Sequence, residues 1–303
     1  MTASLARRSG SREPARAPEI RIGTSGWHYT SWWGPFYPET LSKKGALPYY
    51  ASRFRATELN APFYRTPTLE AVQAWVEQTP EDFLFAWKAS KFITHWKRLS
   101  ERSANSLELL ETRLDRLGPK AGPVLFQLPP HMGADRERLA AFLGMLAPKR
   151  RYTFEFRHPS WYEAGILGLL GDFDAALCLS DHADAPAPWE ATASFVYIRG
   201  HGPSGGYHGT YGDETLGEWA RHIAAWRAEG RAVHCYFDND IKSAAPADAE
   251  RLIAMLEPGP ASPLMRPTPS SEPPEPAPDR PDAPSRPGPD SRGSPRSPGS
   301  RAR

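Results

Sequence analysis

Two pairs of residues that could do chemistry stand two positions apart in this chain: Glu58 with Asn60, and Glu155 with Arg157. In an extended strand, residues i and i+2 point to the same face, so each pair presents its polar groups together. Each pair closes a short apolar run, as do Lys88, Gln127, Asp181, Arg199 and Asp238. If these runs are strands of one sheet, their ends gather carboxylates, cations and amides in one place. Glu58, Glu155, Asp181 and Asp238 bring the negative charges, and Lys88, Arg157 and Arg199 the positive ones. Glu58 and Glu155 are the expected acid and base. Lys88, Arg157 and Arg199 suit an anionic group or a developing oxyanion. Lys88 joins the catalytic set because its amine could also form a Schiff base. Asn60, Gln127, Asp181 and Asp238 are expected to contact the substrate. The competing reading is an ion-pair network that satisfies itself and only braces the strand ends.

Aromatic residues crowd the same turns. Trp27, Tyr29, Trp32, Trp33, Phe36 and Tyr37 follow the first run, and Phe63, Tyr64, Trp96 and Trp161 follow later ones. Most are expected to pack as a small core above the strands. Trp27 and Tyr64, nearest their strand ends, are the ones expected to stack on a ligand. Histidines 28, 95, 158 and 201 also lie just past strand ends. His158, beside Arg157, and His201, after Arg199, are expected at the same mouth. No HExxH pair occurs, and two cysteines are too few for a cysteine-ligated zinc site. No cofactor is expected. A divalent metal enters only under an alternative in which Glu58, Glu155, Asp181 and a histidine are its ligands.

Elements that could position these residues alternate along the middle of the chain. The strand candidates are residues 20–24, 57–60, 83–88, 123–128, 152–156, 176–180, 195–199 and 233–237. Most are short and rich in apolar β-branched or aromatic residues, as strands buried on both faces are. Between them run helical stripes. Leu107, Leu110, Leu114 and Leu117 form one, stopped by Gly118-Pro119. Leu139, Phe142, Leu143 and Leu146 form another, opened by Asp135 as N-cap. Leu216, Trp219, Ile223 and Trp226 form a third, and Leu252, Ile253 and Leu256 finish the last. Thr66-Pro67 is expected to start the helix that runs to Gln78. The stretch 182–194 is too rich in Pro and Ala for a full helix. Eight β-then-α units predict an α/β protein, a single (β/α)8 TIM-type barrel over residues 20–256. The competing open sheet would carry GxGxxG after its first strand, whereas this turn reads Gly23-Thr24-Ser25-Gly26-Trp27.

The ends of the chain have another composition. Of 33 prolines in 303 residues, 15 lie in residues 257–303, where the only large apolar side chains past Pro263 are Leu264 and Met265. Such a segment cannot bury enough surface to offset its ordering entropy, so disordered extensions are expected at 1–19 and 257–303. Setting them aside removes the formal charge of +2 and leaves 26 basic and 27 acidic residues. No global charge therefore favours nucleic acid or an acidic membrane. No run reaches the roughly 18 apolar residues of a membrane span, and no apolar run follows the N-terminal arginines as a secretory signal requires. Cys178 and Cys235 sit within apolar runs and read as buried thiols, which fits a reducing, cytoplasmic setting.

Several strings at the strand ends resemble one family. They are Gly23-Thr24-Ser25-Gly26-Trp27, Glu58-Leu59-Asn60 with Phe63-Tyr64-Arg65, Lys88-Ala89-Ser90 with Thr94-His95, and Gln127-Leu128-Pro129-Pro130. Glu155-Phe156-Arg157-His158 with Trp161, Arg199 with His201-Gly202, and Tyr236-Phe237-Asp238-Asn239-Asp240 complete the set. In order and spacing they resemble the domain of unknown function 72 family, sugar-isomerase-related proteins, over residues 20–256. The resemblance implies a TIM-type barrel and adds Asn239 to the expected substrate contacts. It implies no established reaction. It also implies Asn-Asn-Asp where this chain has Asp238-Asn239-Asp240, a departure that bears on the role of Asp238.

The function expected is that of an enzyme, an isomerase or hydrolase acting on a small sugar-like, phosphorylated or otherwise anionic or polyhydroxylated substrate. Carboxylate acid/base chemistry with lysine and arginine anion binding would carry it. Two alternatives remain open: a metal-dependent isomerase or endonuclease-like hydrolase, and a non-catalytic protein that binds nucleic acid or carbohydrate. The net charge of the folded part speaks against nucleic acid.

Overall fold

The computed structural model describes residues 18–257. The extensions expected at 1–19 and 257–303 lie outside the described residues, apart from residues 18, 19 and 257. The strands are β1 (Ile20–Thr24), β2 (Ala56–Leu59), β3 (Leu84–Lys88), β4 (Ala121–Gln127), β5 (Tyr152–Glu155), β6 (Ala176–Ser180), β7 (Phe195–Gly200) and β8 (Ala232–Phe237). They pair in parallel in the order β1-β8-β7-β6-β5-β4-β3-β2. A parallel bridge between Ser25 and Glu58 closes the ring between β1 and β2, giving a TIM-type barrel.

The β1–β2 seam is too tight for an ordinary ladder. A Cβ built on Gly23 would lie 2.0 Å from the Ala56 carbonyl oxygen, so only glycine fits there. The Tyr50 hydroxyl fills in for the missing backbone partners. It accepts the Thr24 N–H at 2.8 Å and donates to the Ala56 carbonyl at 3.1 Å. Above it, the Gly26 N–H donates to the Glu58 carbonyl at 2.7 Å.

Helices α1 (Ala46–Arg53), α2 (Ala61–Tyr64), α3 (Leu69–Glu77), α4 (Ala104–Leu117), α5 (Arg136–Leu143), α6 (Ala164–Asp172), α7 (Asp213–Ala228) and α8 (Ala244–Leu256) follow the strands. The apolar stripe of α4 is buried along its length, as its leucine spacing predicts. Asp135 caps α5, accepting the Arg138 N–H at 3.0 Å. The expected start at Thr66-Pro67 is displaced: α3 begins at Leu69, because the Thr68 side chain accepts the Ala71 N–H and is the stronger cap. Between β6 and β7 no helix forms among the described residues. None of the described helices is long and apolar enough to cross a membrane.

Strand alternation sorts the core into two. Outward residues such as Phe85, Phe126, Phe154 and Val233 pack under the helices. Inside, the small side chains of Ala56, Ala86 and Ala176 leave room for Tyr197 and Tyr236, whose rings lie 5.3 Å apart. Cys178 and Cys235 are buried free thiols. The loop after β1 packs into the same outer core, with Trp32 and Tyr37 fully buried against Phe36 and α1.

A buried charge ring and one unpaired lysine at the barrel mouth

The alternation that puts Tyr197 and Tyr236 inside the barrel also brings one inward side chain from each strand to its C-terminal mouth. In strand order these are Ser25, Glu58, Lys88, Gln127, Glu155, Ser180, Arg199 and Asp238. Arg199 is the hub and is fully buried. Its Nε donates to both Glu58 oxygens, at 3.2 and 3.0 Å. Its Nη2 donates to Glu58 Oε1 at 2.8 Å and to Asp238 Oδ2 at 2.7 Å. Its Nη1 donates to Glu155 Oε2 at 2.8 Å and to His201 Nε2 at 2.9 Å. One guanidinium thus ties β2, β5 and β8 to β7.

Glu58 is sealed from solvent and also accepts from the Tyr197 hydroxyl at 2.6 Å and the Ser25 hydroxyl at 2.5 Å. Glu155 is equally buried and receives Nε of Arg157 on its other oxygen. Burial by itself would raise the Glu155 pKa, but Arg157 and Arg199 outweigh it and hold the carboxyl well below the usual carboxylate range. Arg157 continues the chain, reaching the Tyr207 hydroxyl at 3.1 Å and His201 Nε2 at 3.2 Å. Because His201 Nε2 accepts from two guanidiniums, the network places the ring proton on Nδ1, which faces Asp181 Oδ1 at 3.3 Å. Asp181 also accepts the His201 N–H at 2.7 Å and the Tyr211 hydroxyl.

Lys88 stands apart from this network. It is buried, 8% exposed, and its Nζ lies 4.6 Å over the Phe63 ring. Among the described residues it makes neither an ion pair nor a hydrogen bond. Burial, helped by the positive charge of Arg199, lowers its pKa to about 8, against the pull of Asp238, Glu155 and Glu58. Next to it, burial and the positive charge of Lys88 lower the His95 pKa to about 4.

Other expected contacts are distributed differently. Asn60 donates to Asp238 Oδ1 at 3.3 Å, and its side-chain oxygen Oδ1 is buried without a partner among the described residues. Trp27, expected to stack on a ligand, is only partly buried. It lies edge-on to Trp75 at 5.7 Å and to Phe85 at 6.4 Å, packed against the outer core. His158 is spent on its own turn, its Nδ1 meeting the Ser160 hydroxyl at 2.8 Å. Asn239 holds the loop after β8 by donating to the Gly209 carbonyl at 2.7 Å and to Asp248 at 2.8 Å. Tyr64 lies on the rim and is 71% exposed. The metal alternative does not fit its ligands: Glu58 and Glu155 are turned onto guanidiniums, and among the described residues no group of three His, Cys, Asp or Glu is arranged to hold an ion.

Sequence reasoning passed over Asp240, Ser25, Tyr197 and Tyr207. Asp240 is half-buried, and burial together with Asp238 raises its pKa to about 6. Tyr197 could have been found by extending the i+2 rule back from Arg199. Tyr207 comes from a glycine-rich loop whose path no local pattern announces.

A family model described as "Protein of unknown function DUF72" matches residues 21–273. The UPF0759 protein YunF of Bacillus subtilis (strain 168) is 24% identical over 274 residues, 78% of this chain and 95% of YunF. The UPF0759 protein YecE of Escherichia coli (strain K12) is 32% identical over 147 residues, 48% of this chain and 51% of YecE. The crystal structure of a DUF72 family protein from Thermotoga maritima superposes with a TM-score of 0.71 at 25% identity, covering 79% of this chain and all of that one. One from Enterococcus faecalis, at 19% identity and a TM-score of 0.67, shares the fold over 79% of this chain and 96% of its own.

Proposed function

The chain belongs to the DUF72 family of proteins of unknown function, and with that premise we propose that its barrel mouth is the active site of a cytoplasmic enzyme acting on a small anionic, sugar-like molecule. Lys88 is the residue that meets the substrate. The observation that carries this reading is that, among the described residues, the Lys88 ammonium is unpaired in a ring whose other charges are all paired. An uncompensated buried cation costs stability, and such costs collect where a ligand supplies the missing charge. A substrate phosphate or carboxylate would supply it.

With a pKa of about 8, Lys88 holds both protonation states near neutral pH. The ammonium binds the anion or donates a proton; the free amine takes one. This suits proton transfer at a carbon beside a carbonyl, the class to which sugar isomerisation belongs. Gln127 offers amide hydrogens to a developing oxyanion from the neighbouring strand. Glu58, Glu155 and Asp238 act through Arg199 as positioning residues, setting the field in which Lys88 works.

The test is a thermal-shift and turnover screen of sugar phosphates against the wild type, Lys88→Met and Lys88→Arg. Ligand-induced stabilisation should disappear in Lys88→Met. Lys88→Arg, always charged, should keep binding and lose turnover. Ligand binding by the wild type should weaken as pH rises, with a midpoint near pH 8, as the Lys88 ammonium loses its proton. A Lys88→Met protein that binds and turns over like the wild type would overturn the reading.

A further inference from the structure

Beside Lys88 the rim carries an aromatic surface that the barrel does not need. Tyr64 ends α2, directly after β2, and Trp96 ends a single π-turn, Phe92–Trp96, directly after β3. Both therefore stand on the mouth side. They are 71% and 65% exposed, while most other large aromatics of the described chain are covered. The Lys91 ammonium lies between them, 5.4 Å from the Tyr64 ring and 5.9 Å from the Trp96 ring. Phe63 joins this rim to the mouth: its ring is edge-on to Tyr64 at 5.0 Å and lies under Lys88 Nζ. Lys97 covers Phe92, which is edge-on to Trp96 at 5.2 Å. Neither Lys91 nor Lys97 has an acidic partner among the described residues; Lys97 donates to the Arg102 carbonyl, so Lys91 is the rim cation left to meet a ligand charge.

The chemistry of this surface selects its occupant. An apolar partner would bury Lys91 and Lys97 without a counter-ion, which is costly. A bare sugar would find rings to stack on, but cations instead of the paired acceptors its hydroxyls need. A planar ring carrying phosphate satisfies both features, through its face on Tyr64 or Trp96 and its charge on Lys91. We propose that Tyr64 and Trp96 form a base-stacking subsite next to Lys88, so that the anionic ligand of the mouth is a nucleoside phosphate. This rests on the reading of Lys88 as an anion-binding residue and narrows its substrate class.

Calorimetric titration of the full chain with adenosine 5′-monophosphate and with ribose 5-phosphate tests it. Base stacking on one aromatic side chain is worth about a 10-fold gain in affinity or more, so the nucleotide should bind at least that much tighter. Trp96→Ala and Tyr64→Ala, both at exposed positions that leave the core intact, should each collapse the affinity ratio between the two ligands towards one. Lys88→Met should weaken both ligands together. Equal wild-type affinities, or a ratio untouched by both aromatic variants, would overturn the stacking subsite while leaving the anion site standing. Failure of both phosphates to bind would overturn both. Binding of an eight-residue oligothymidylate without measurable binding of the mononucleotide would overturn the proposal in favour of a nucleic-acid strand.

Discussion

Arg199 spends all of its N–H groups on groups inside the barrel, and three of its partners are carboxylates from three other strands. A buried ion pair adds little net stability while both partners are present, but removing one partner leaves the other charged and unsolvated. Arg199→Met strands Glu58 and Asp238 and leaves Glu155 to Arg157 alone. We expect a loss of roughly 3–5 kcal/mol of folding stability, read from urea denaturation. Adding Glu58→Gln should recover part of that loss, and a single variant as stable as the wild type would refute the hub. The acidic and basic residue types at this mouth were legible from their i+2 spacing. Which of them were free was not. Glu58 and Lys88 look alike as polar ends of apolar strands, and only the packing shows one bonded on both oxygens and the other without a hydrogen bond or ion pair among the described residues.

At the scale of elements, the barrel depends on a seam that no strand-pairing rule describes. Gly23 lets β1 approach β2, and the Tyr50 hydroxyl of α1 takes the place of a ladder partner. Tyr50→Phe keeps the ring and leaves the Thr24 N–H and the Ala56 carbonyl without that partner. Each buried backbone group left unpaired costs about 1–3 kcal/mol, so the variant should lose at least that much. Amide exchange should quicken first in β1 and β2 if the seam is what opens. The strands were legible because central parallel strands are short continuous apolar runs. The start of α3 was misplaced because two cap signals lie two residues apart, and Thr68, the one that bonds to Ala71, wins.

At the scale of the molecule, the fold holds several histidines neutral, and that makes its stability depend on pH. Burial lowers His234 to about 3, aided by Arg151 and Arg21, and lowers His95 and His182 to about 4. Below pH of about 6.5 the unfolded chain takes up protons at these residues and the folded chain does not. Their contribution is therefore fully present above that pH and is lost as pH falls towards 4. The limiting slope is about 1.4 kcal/mol per pH unit for each histidine, reduced for His95 and His182, which solvent partly screens. Glu155, held low by its guanidiniums, adds a loss of the same sign at more acidic pH. Urea midpoints measured from pH 7 to 4.5 should fall, and His234→Gln should flatten the decline. Constant midpoints across that range would refute the assignment.

The sequence by itself determined the architecture, because the eight apolar strand runs and most of the helix stripes, caps and stops between them are local patterns. It also determined which residue types reach the mouth, since alternation in a strand is a matter of counting. The tertiary structure alone decided how those residues divide the work. Pairing depends on distances between strands far apart in the chain: Arg199 meets Glu58 across 141 positions and Asp238 across 39. The same long-range packing set Trp27 against the outer core, left Tyr64 and Trp96 uncovered at the rim, and, among the described residues, gave every buried charge of the ring a partner except Lys88.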